Sequence, residues 1–225
     1  LTITRRQLLD RVGALALAGS GLVGAWIVPA WAQRRSPPPG PATVSTEELM
    51  QPGPLKEETL GSPTAPVTIV EYASMTCSHC ADFHVKTFPE LKKRYIDTGK
   101  VFFVFREFPL DPLAAGAFML ARCADGSRYF DLIDVLFHQQ KQWAFARQPL
   151  EPLFGIVKQA GFTEQSFRAC LSNQKLLESI EQVRDRAANK FGVNSTPTFF
   201  INGTRQVGAI SIETLEKLLE PYLKS

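Results

Sequence analysis

A run of β-branched and aromatic residues that ends at a pair of cysteines constrains this chain most. Val67–Ala73 reads VTIVEYA, and Cys77-Ser78-His79-Cys80 follows after a three-residue gap. The run is nearly continuous in apolar residues, which predicts a strand buried on both faces. The stretch beyond it carries Phe83, Val85, Phe88, Leu91 and Tyr95 at helical spacing. Pro89 is expected to kink that helix and Gly99 to stop it. The two cysteines therefore fall where a buried strand turns into a helix, with Cys77 at the helix N-terminus.

Three chemistries compete for such a pair. A structural zinc site needs four ligands, whereas Cys77, Cys80 and His84 supply three and no second Cys-x-x-Cys exists. A purely structural Cys77–Cys80 cross-link closes so short a loop that it removes little chain entropy. A reactive dithiol fits the position. Unpaired N–H groups and the positive end of the helix dipole favour a thiolate at Cys77 over the ordinary thiol. Cys80, one turn in, is the better covered, resolving thiol. The His79 imidazole is expected to donate to, or place positive charge near, the Cys77 thiolate, which would stabilise the reduced form. Glu71, six residues before Cys77 in an otherwise apolar strand, is expected to be a buried carboxylate that passes protons during exchange. His84 is expected to be an ordinary surface or packing residue. Met75 and Thr76 are expected to form an apolar rim beside Cys77.

The compartment decides how cysteines are read. Arg5, Arg6 and Arg11 precede an apolar, glycine-containing stretch, and Ala30-Trp31-Ala32 supplies a small-x-small cleavage site before Gln33. Residues 1–32 are thus expected to be a signal peptide. Thr4, the Arg5-Arg6 pair and Leu8-Leu9 resemble a twin-arginine export signal. Export places the chain where disulfides persist. In that setting an even cysteine count argues for pairing, so Cys123 and Cys170 are expected to form a structural disulfide closing a loop of about 47 residues. The formal charge is only +3, too small and too evenly spread for nucleic acid binding.

Residues 33–65 are rich in proline and polar side chains and are expected to be an extended, weakly ordered linker, with a helical turn near Thr46–Met50 capped by Ser45 or Thr46. From residue 66 the order reads β-α-β, then a helical block over 112–190, then β-β-α. Val101–Glu107 is the second strand, and Asn202-Gly203 predicts a type I′ hairpin between two more. One sheet can serve both ends, with the helical block as an insertion.

The segments VTIVEYASMTCSHCADFH and VNSTPTFFING resemble the two signature segments of the thioredoxin superfamily. From Pro66 onward the chain resembles the bacterial periplasmic DsbA-like thiol:disulfide oxidoreductases. The resemblance implies an α/β, thioredoxin-like fold over 66–225 with an inserted helical subdomain. It implies that Pro197 is a cis-proline lying against the active-site disulfide, and that Thr196 offers its backbone to an extended substrate. It places Glu71 beneath the second cysteine. It also implies an enzyme that introduces disulfides into reduced or unfolded exported proteins in the periplasm, acting as a monomer. The Cys77–Cys80 disulfide would be the redox agent, with no metal or organic cofactor, and a DsbB-like membrane oxidase would recycle it. Ser78 and Thr196 depart from the Cys-Pro-His-Cys and Val-Pro of the best-known oxidases. A disulfide isomerase or reductase would use the same residues. A non-catalytic chaperone is a further alternative, against which the intact Cys-x-x-Cys argues.

Overall fold

The computed structural model describes residues 41–124 and 128–224; the expected signal peptide lies outside them. A five-stranded sheet runs in the order β1-β3-β2-β4-β5. Its strands are β1 (Glu58–Leu60), β2 (Val67–Ala73), β3 (Val101–Glu107), β4 (Thr198–Ile201) and β5 (Thr204–Val207). β2 pairs in parallel with β3 and antiparallel with β4. The parallel pair needs a crossover, which α2 (Ser78–Lys86) and α3 (Phe88–Leu91) provide. The Asn202-Gly203 turn has positive φ at both residues, 43° and 85°, as a type I′ hairpin requires.

Alternation along the strands makes two cores. Val67, Ile69 and Ala73 of β2, Val101, Phe103 and Phe105 of β3, and Phe199 and Ile201 of β4 face the larger one. Val70, Tyr72, Val104 and Phe200 face the smaller one, where Phe191 and Leu49 cover them. Both faces of β2 are thus buried, the physical reason for its unbroken apolar run. Glu71 is the polar exception on the larger face, beside Phe105 and Phe199 in register.

The helix after the dithiol is broken rather than kinked. α2 ends at Lys86, Thr87 caps it with φ −107°, and Pro89 lies in the first turn of α3. Proline has no N–H for a bond to Val85 and its ring would strike that carbonyl, so the break precedes it. A π-helical segment, Lys92–Ile96, completes the crossover.

The helical insertion comprises α4 (Pro112–Cys123), α5 (Tyr129–His138), α6 (Gln140–Trp143), α7 (Leu150–Gln159), α8 (Glu164–Leu171) and α9 (Gln174–Phe191). Five of these answer to the apolar spacing in the sequence. The short α6 does not, because four residues carry too little periodicity to read. α9 continues to the sheet, where Ala187 and Phe191 join the smaller core. α10 (Ile212–Leu223), capped by Ser211, buries Leu215 and Leu219 against the larger one. Cys123 and Cys170 are joined by a disulfide that ties α4 to α8, with a Cα separation of 6.2 Å.

The segment read as a weakly ordered linker is, from residue 42 to 65, packed onto the domain. Ala42–Val44 adds to the edge of β5, with Val44 N–H donating to Gly203 and Arg205 N–H to Ala42. A side chain on Gly203 would collide with the Val44 carbonyl. Ser45 caps α1 (Thr46–Leu49), and Leu49 enters the smaller core. Two arginines, Arg106 buried and Arg122 half-buried, then grip the chain. Arg106 donates to the Leu49 carbonyl, to Tyr72 and in a fork to Glu57. Arg122 donates to the Lys56 carbonyl and to Glu58 and Glu107. Prolines hid this order, since polar ties to distant arginines leave no local period.

Loop closure by the Cys123–Cys170 bond spans 47 positions, for which the chain-entropy model gives about 4 kcal/mol. Replacing both cysteines with alanine should lower unfolding stability by roughly 2–4 kcal/mol in denaturant melts while leaving the Cys77–Cys80 couple able to oxidise.

Candidate functional site

The C-terminal end of β2 delivers the chain to α2 with Cys77 as its N-cap. Cys77 has extended backbone angles, φ −81° and ψ 117°, and its Sγ accepts from the Cys80 N–H at 3.4 Å. A sulfur thus occupies the place that serine or aspartate oxygens fill in other helices. Across the site the Thr196–Pro197 peptide bond is cis, and the Cys77 thiol donates to the Thr196 carbonyl at 3.3 Å. The Thr196 hydroxyl is buried and has no other partner among the described residues, so it is free to donate when the sulfur is an anion.

These contacts separate the two thiols. The Cys77 thiol is lowered to about 5, first by a hydrogen bond from the Cys80 side chain. Partial burial opposes this, while the Thr196 side chain and the backbone N–H groups of Cys80 and His79 assist it. The Cys80 thiol is pushed far up, first by burial, then by Cys77 and by the charge of Glu71. Cys77 is half-buried and Cys80 fully buried. One sulfur is therefore a ready nucleophile and good leaving group, and the other is a protected thiol.

His79 acts differently from the expectation. Its ring is exposed and lies near Asp82, whose carboxylate is held charged first by Lys86 and less by His79. What His79 offers Cys77 is its backbone N–H. Met75 also departs from expectation, since it is buried rather than part of a rim. Thr76 is half-buried and donates to Asp111 at 2.6 Å. Asp111 in turn caps α4 through the Ala114 N–H at 2.8 Å. The start of the insertion is thereby tied to the residue before Cys77. An apolar groove of about 510 Å³ opens at this junction, lined by Leu110, Leu113, Leu150, Leu153, Leu171 and Leu177 among others.

Glu71 is buried, with one carboxylate oxygen 3.0 Å from His84 Nε2 and the other without a partner among the described residues. His84 is fully buried, which decides its reading as a surface or packing residue for the packed alternative. Its spacing, four residues after Cys80, puts it on the covered face of α2. Histidine carries no hydrophobic signal, so the periodicity did not reveal it. Gln140, from α6, was likewise missed. It is buried, and its Nε2 donates to the Met75 carbonyl at 2.8 Å and to the Cys77 carbonyl at 2.9 Å. The insertion thus clamps the dithiol loop from above with a single amide.

A thioredoxin family model matches residues 55–221. A Rickettsia felis protein that carries a provisional name of protein-disulfide oxidoreductase is 36% identical over 166 residues, 73% of this chain and 59% of the relative. The chain thus spans about three-fifths of that relative's length. The crystal structure of Wolbachia pipientis alpha-DsbA1 superposes with a TM-score of 0.73 at 32% identity, covering 80% of this chain and 97% of that one. A protein-disulfide isomerase from Novosphingobium aromaticivorans superposes with a TM-score of 0.64 at 25% identity, covering 75% and 98%.

Folding holds the Cys77 thiol at about 5, against about 8.5 for a free cysteine. The stability this adds is fully present above the free value and is lost as pH falls through about 5. The disulfide form has no such group. The stability of the dithiol form relative to the disulfide form should therefore rise between about pH 5 and about pH 8.5, measurable by denaturant melts of both forms. Gln140→Leu should cost roughly 1–3 kcal/mol in the same melts, because it takes the amide donor from the buried Met75 carbonyl, while the Cys77 carbonyl keeps the Ala81 N–H.

Proposed function

Because the chain belongs to the thioredoxin family, in its DsbA-like branch, we propose that it is a protein thiol:disulfide oxidoreductase that introduces disulfides into exported proteins. The observation that carries this reading is the split between an accessible Cys77 sulfur stabilised as an anion and a buried Cys80 held as a thiol. A reduced form stabilised at Cys77 makes the disulfide a stronger oxidant. Each pKa unit by which the thiolate is stabilised is worth about 1.36 kcal/mol, and about 1.4 kcal/mol corresponds to 30 mV for this couple.

The reaction follows from the two sulfurs. A substrate thiolate attacks Cys77 Sγ of the Cys77–Cys80 disulfide. The electron pair of that bond leaves on Cys80, which takes a proton, and a mixed disulfide remains on Cys77. A second substrate thiolate then attacks the substrate sulfur of the mixed disulfide and expels Cys77 as its stabilised thiolate. The substrate gains a disulfide and the protein keeps two electrons. The dithiol–disulfide couple is itself the redox agent, and neither step draws on a metal or organic cofactor. Glu71, whose charge bears on Cys80, is the group that moves the Cys80 proton. Thr196 and Pro197 stand beside Cys77, where an extended substrate backbone would pair with Thr196 without regard to sequence. The leucine-lined groove beside Asp111 suits chains that still expose apolar side chains. A DsbB-like membrane oxidase would restore the disulfide, and the periplasm is the compartment these chemistries require.

A second reading, isomerase or reductase, uses the same atoms. The similarity to the Novosphingobium isomerase supports it. Equilibration of the Cys77–Cys80 couple with glutathione separates the two. An oxidase should lie close to about −120 mV, and a value close to about −270 mV would replace the oxidase reading with reductase. Cys80→Ala should accumulate the mixed disulfide with a disulfide-bearing substrate on non-reducing gels, its Cys77 thiolate displacing one substrate sulfur that no second thiol then frees, whereas Cys77→Ala should form none.

A further inference from the structure

The Cys80 thiol poses a problem for its own chemistry. To close a mixed disulfide on Cys77 it must lose its proton, yet burial and the neighbouring charges hold that proton tightly. A base has to sit within the core. Glu71 reaches the same apolar cluster from β2, and one of its oxygens has no partner there. The other oxygen bonds to His84 Nε2 at 3.0 Å.

His84 is fixed to an unusual degree. Its ring stacks on Phe137 with centroids 4.4 Å apart and planes 18° apart. Phe88 lies at 4.9 Å, Phe83 at 5.4 Å and Phe105 at 5.6 Å. The titratable groups that face the imidazole are Glu71 from β2 and Cys80, one turn back on α2. From β3, α3 and α5 the neighbours are the Phe105, Phe88 and Phe137 rings. Among the described residues His84 is the one hydrogen-bond partner that Glu71 has.

We propose that His84 is a positioning residue that binds one carboxylate oxygen of Glu71 and keeps it in its base form, so that the other oxygen takes the Cys80 proton. This rests on Glu71 being the proton carrier. The step balances. The Cys80 S–H proton passes to Glu71, and the Cys80 thiolate attacks Cys77 Sγ of a mixed disulfide with a disulfide-bearing partner. The Cys77–Cys80 bond forms, and the electron pair of the broken bond leaves on the partner's sulfur. In reverse, protonated Glu71 returns the proton as Cys80 becomes the leaving group. Without His84 a lone buried carboxylate takes up a proton and cannot serve as base.

The test reacts the reduced protein with oxidised glutathione in a stopped-flow instrument. A concentration-dependent phase reports attack by Cys77, and a concentration-independent phase reports closure by Cys80. His84→Gln and His84→Phe should slow the closure phase about tenfold at neutral pH and move its midpoint up by about one pH unit, the shift to which a tenfold change corresponds. Both should leave the attack phase and the Cys77 thiolate titration unchanged, which also shows that the site is folded. Glu71→Gln should slow closure at every pH. If Glu71→Gln leaves closure unchanged, the assignment of Glu71 falls and this proposal with it. If Glu71→Gln slows closure but neither His84 variant shifts its pH profile, the role of His84 alone is overturned.

Discussion

A sulfur atom caps a helix here, and most of the site follows from that one contact. The first N–H groups of α2 have no partners within the helix, and Cys77 Sγ meets the Cys80 N–H in place of an oxygen. The cap orients the sulfur toward the open side of the sheet, where the Thr196 carbonyl and hydroxyl lie. Turning the helix inward from that point buries Cys80 one turn later. The contrast between the two thiols thus arises from one local geometry, with desolvation acting on the second cysteine and donors acting on the first.

Such a cap works only if the loop that presents it is held. Three ties do so, each from a different element. Gln140 bonds the Met75 and Cys77 carbonyls from α6. Asp111 links Thr76 to the start of α4. Ser74 accepts from the Leu110 N–H. The helical insertion therefore belongs to the site mechanically, since two of its first and middle residues position the dithiol. The Cys123–Cys170 bond joins α4 and α8 within that insertion, on a part of the chain remote from the two reactive sulfurs in sequence.

Beneath the loop, the pairing of Glu71 with His84 joins β2 to α2 through the larger core. A carboxylate in such surroundings is costly unless paired. The arrangement keeps one oxygen paired and leaves the other without a partner among the described residues, and the charge of Glu71 bears on the Cys80 thiol. Elsewhere, two polar networks fasten the N-terminal approach, residues 49–58: Arg106 with Tyr72, Glu57 and the Leu49 carbonyl, and Arg122 with Glu107, Glu58 and the Lys56 carbonyl, where Tyr129 also donates to Glu107. Their role is accounted for by packing.

The amino-acid sequence by itself determined β2, β3, the hairpin at Asn202-Gly203, most of the helical insertion and the position of Cys77 at a helix start. Each is written in a local pattern of apolar spacing, turn residues or caps. The break at Thr87 was half legible, because Pro89 announced an interruption but not its place. Only the tertiary structure decided that His84 meets Glu71, that Gln140 grips the dithiol loop, that residues 42–58 pack on the sheet, and that the His79 ring stays outside. It also decided that Thr196, 119 positions from Cys77, faces the sulfur. These are pairings between polar groups distant in sequence. A hydrogen bond leaves no periodic trace in either partner, so it becomes visible only once hydrophobic burial has brought the strands and helices together.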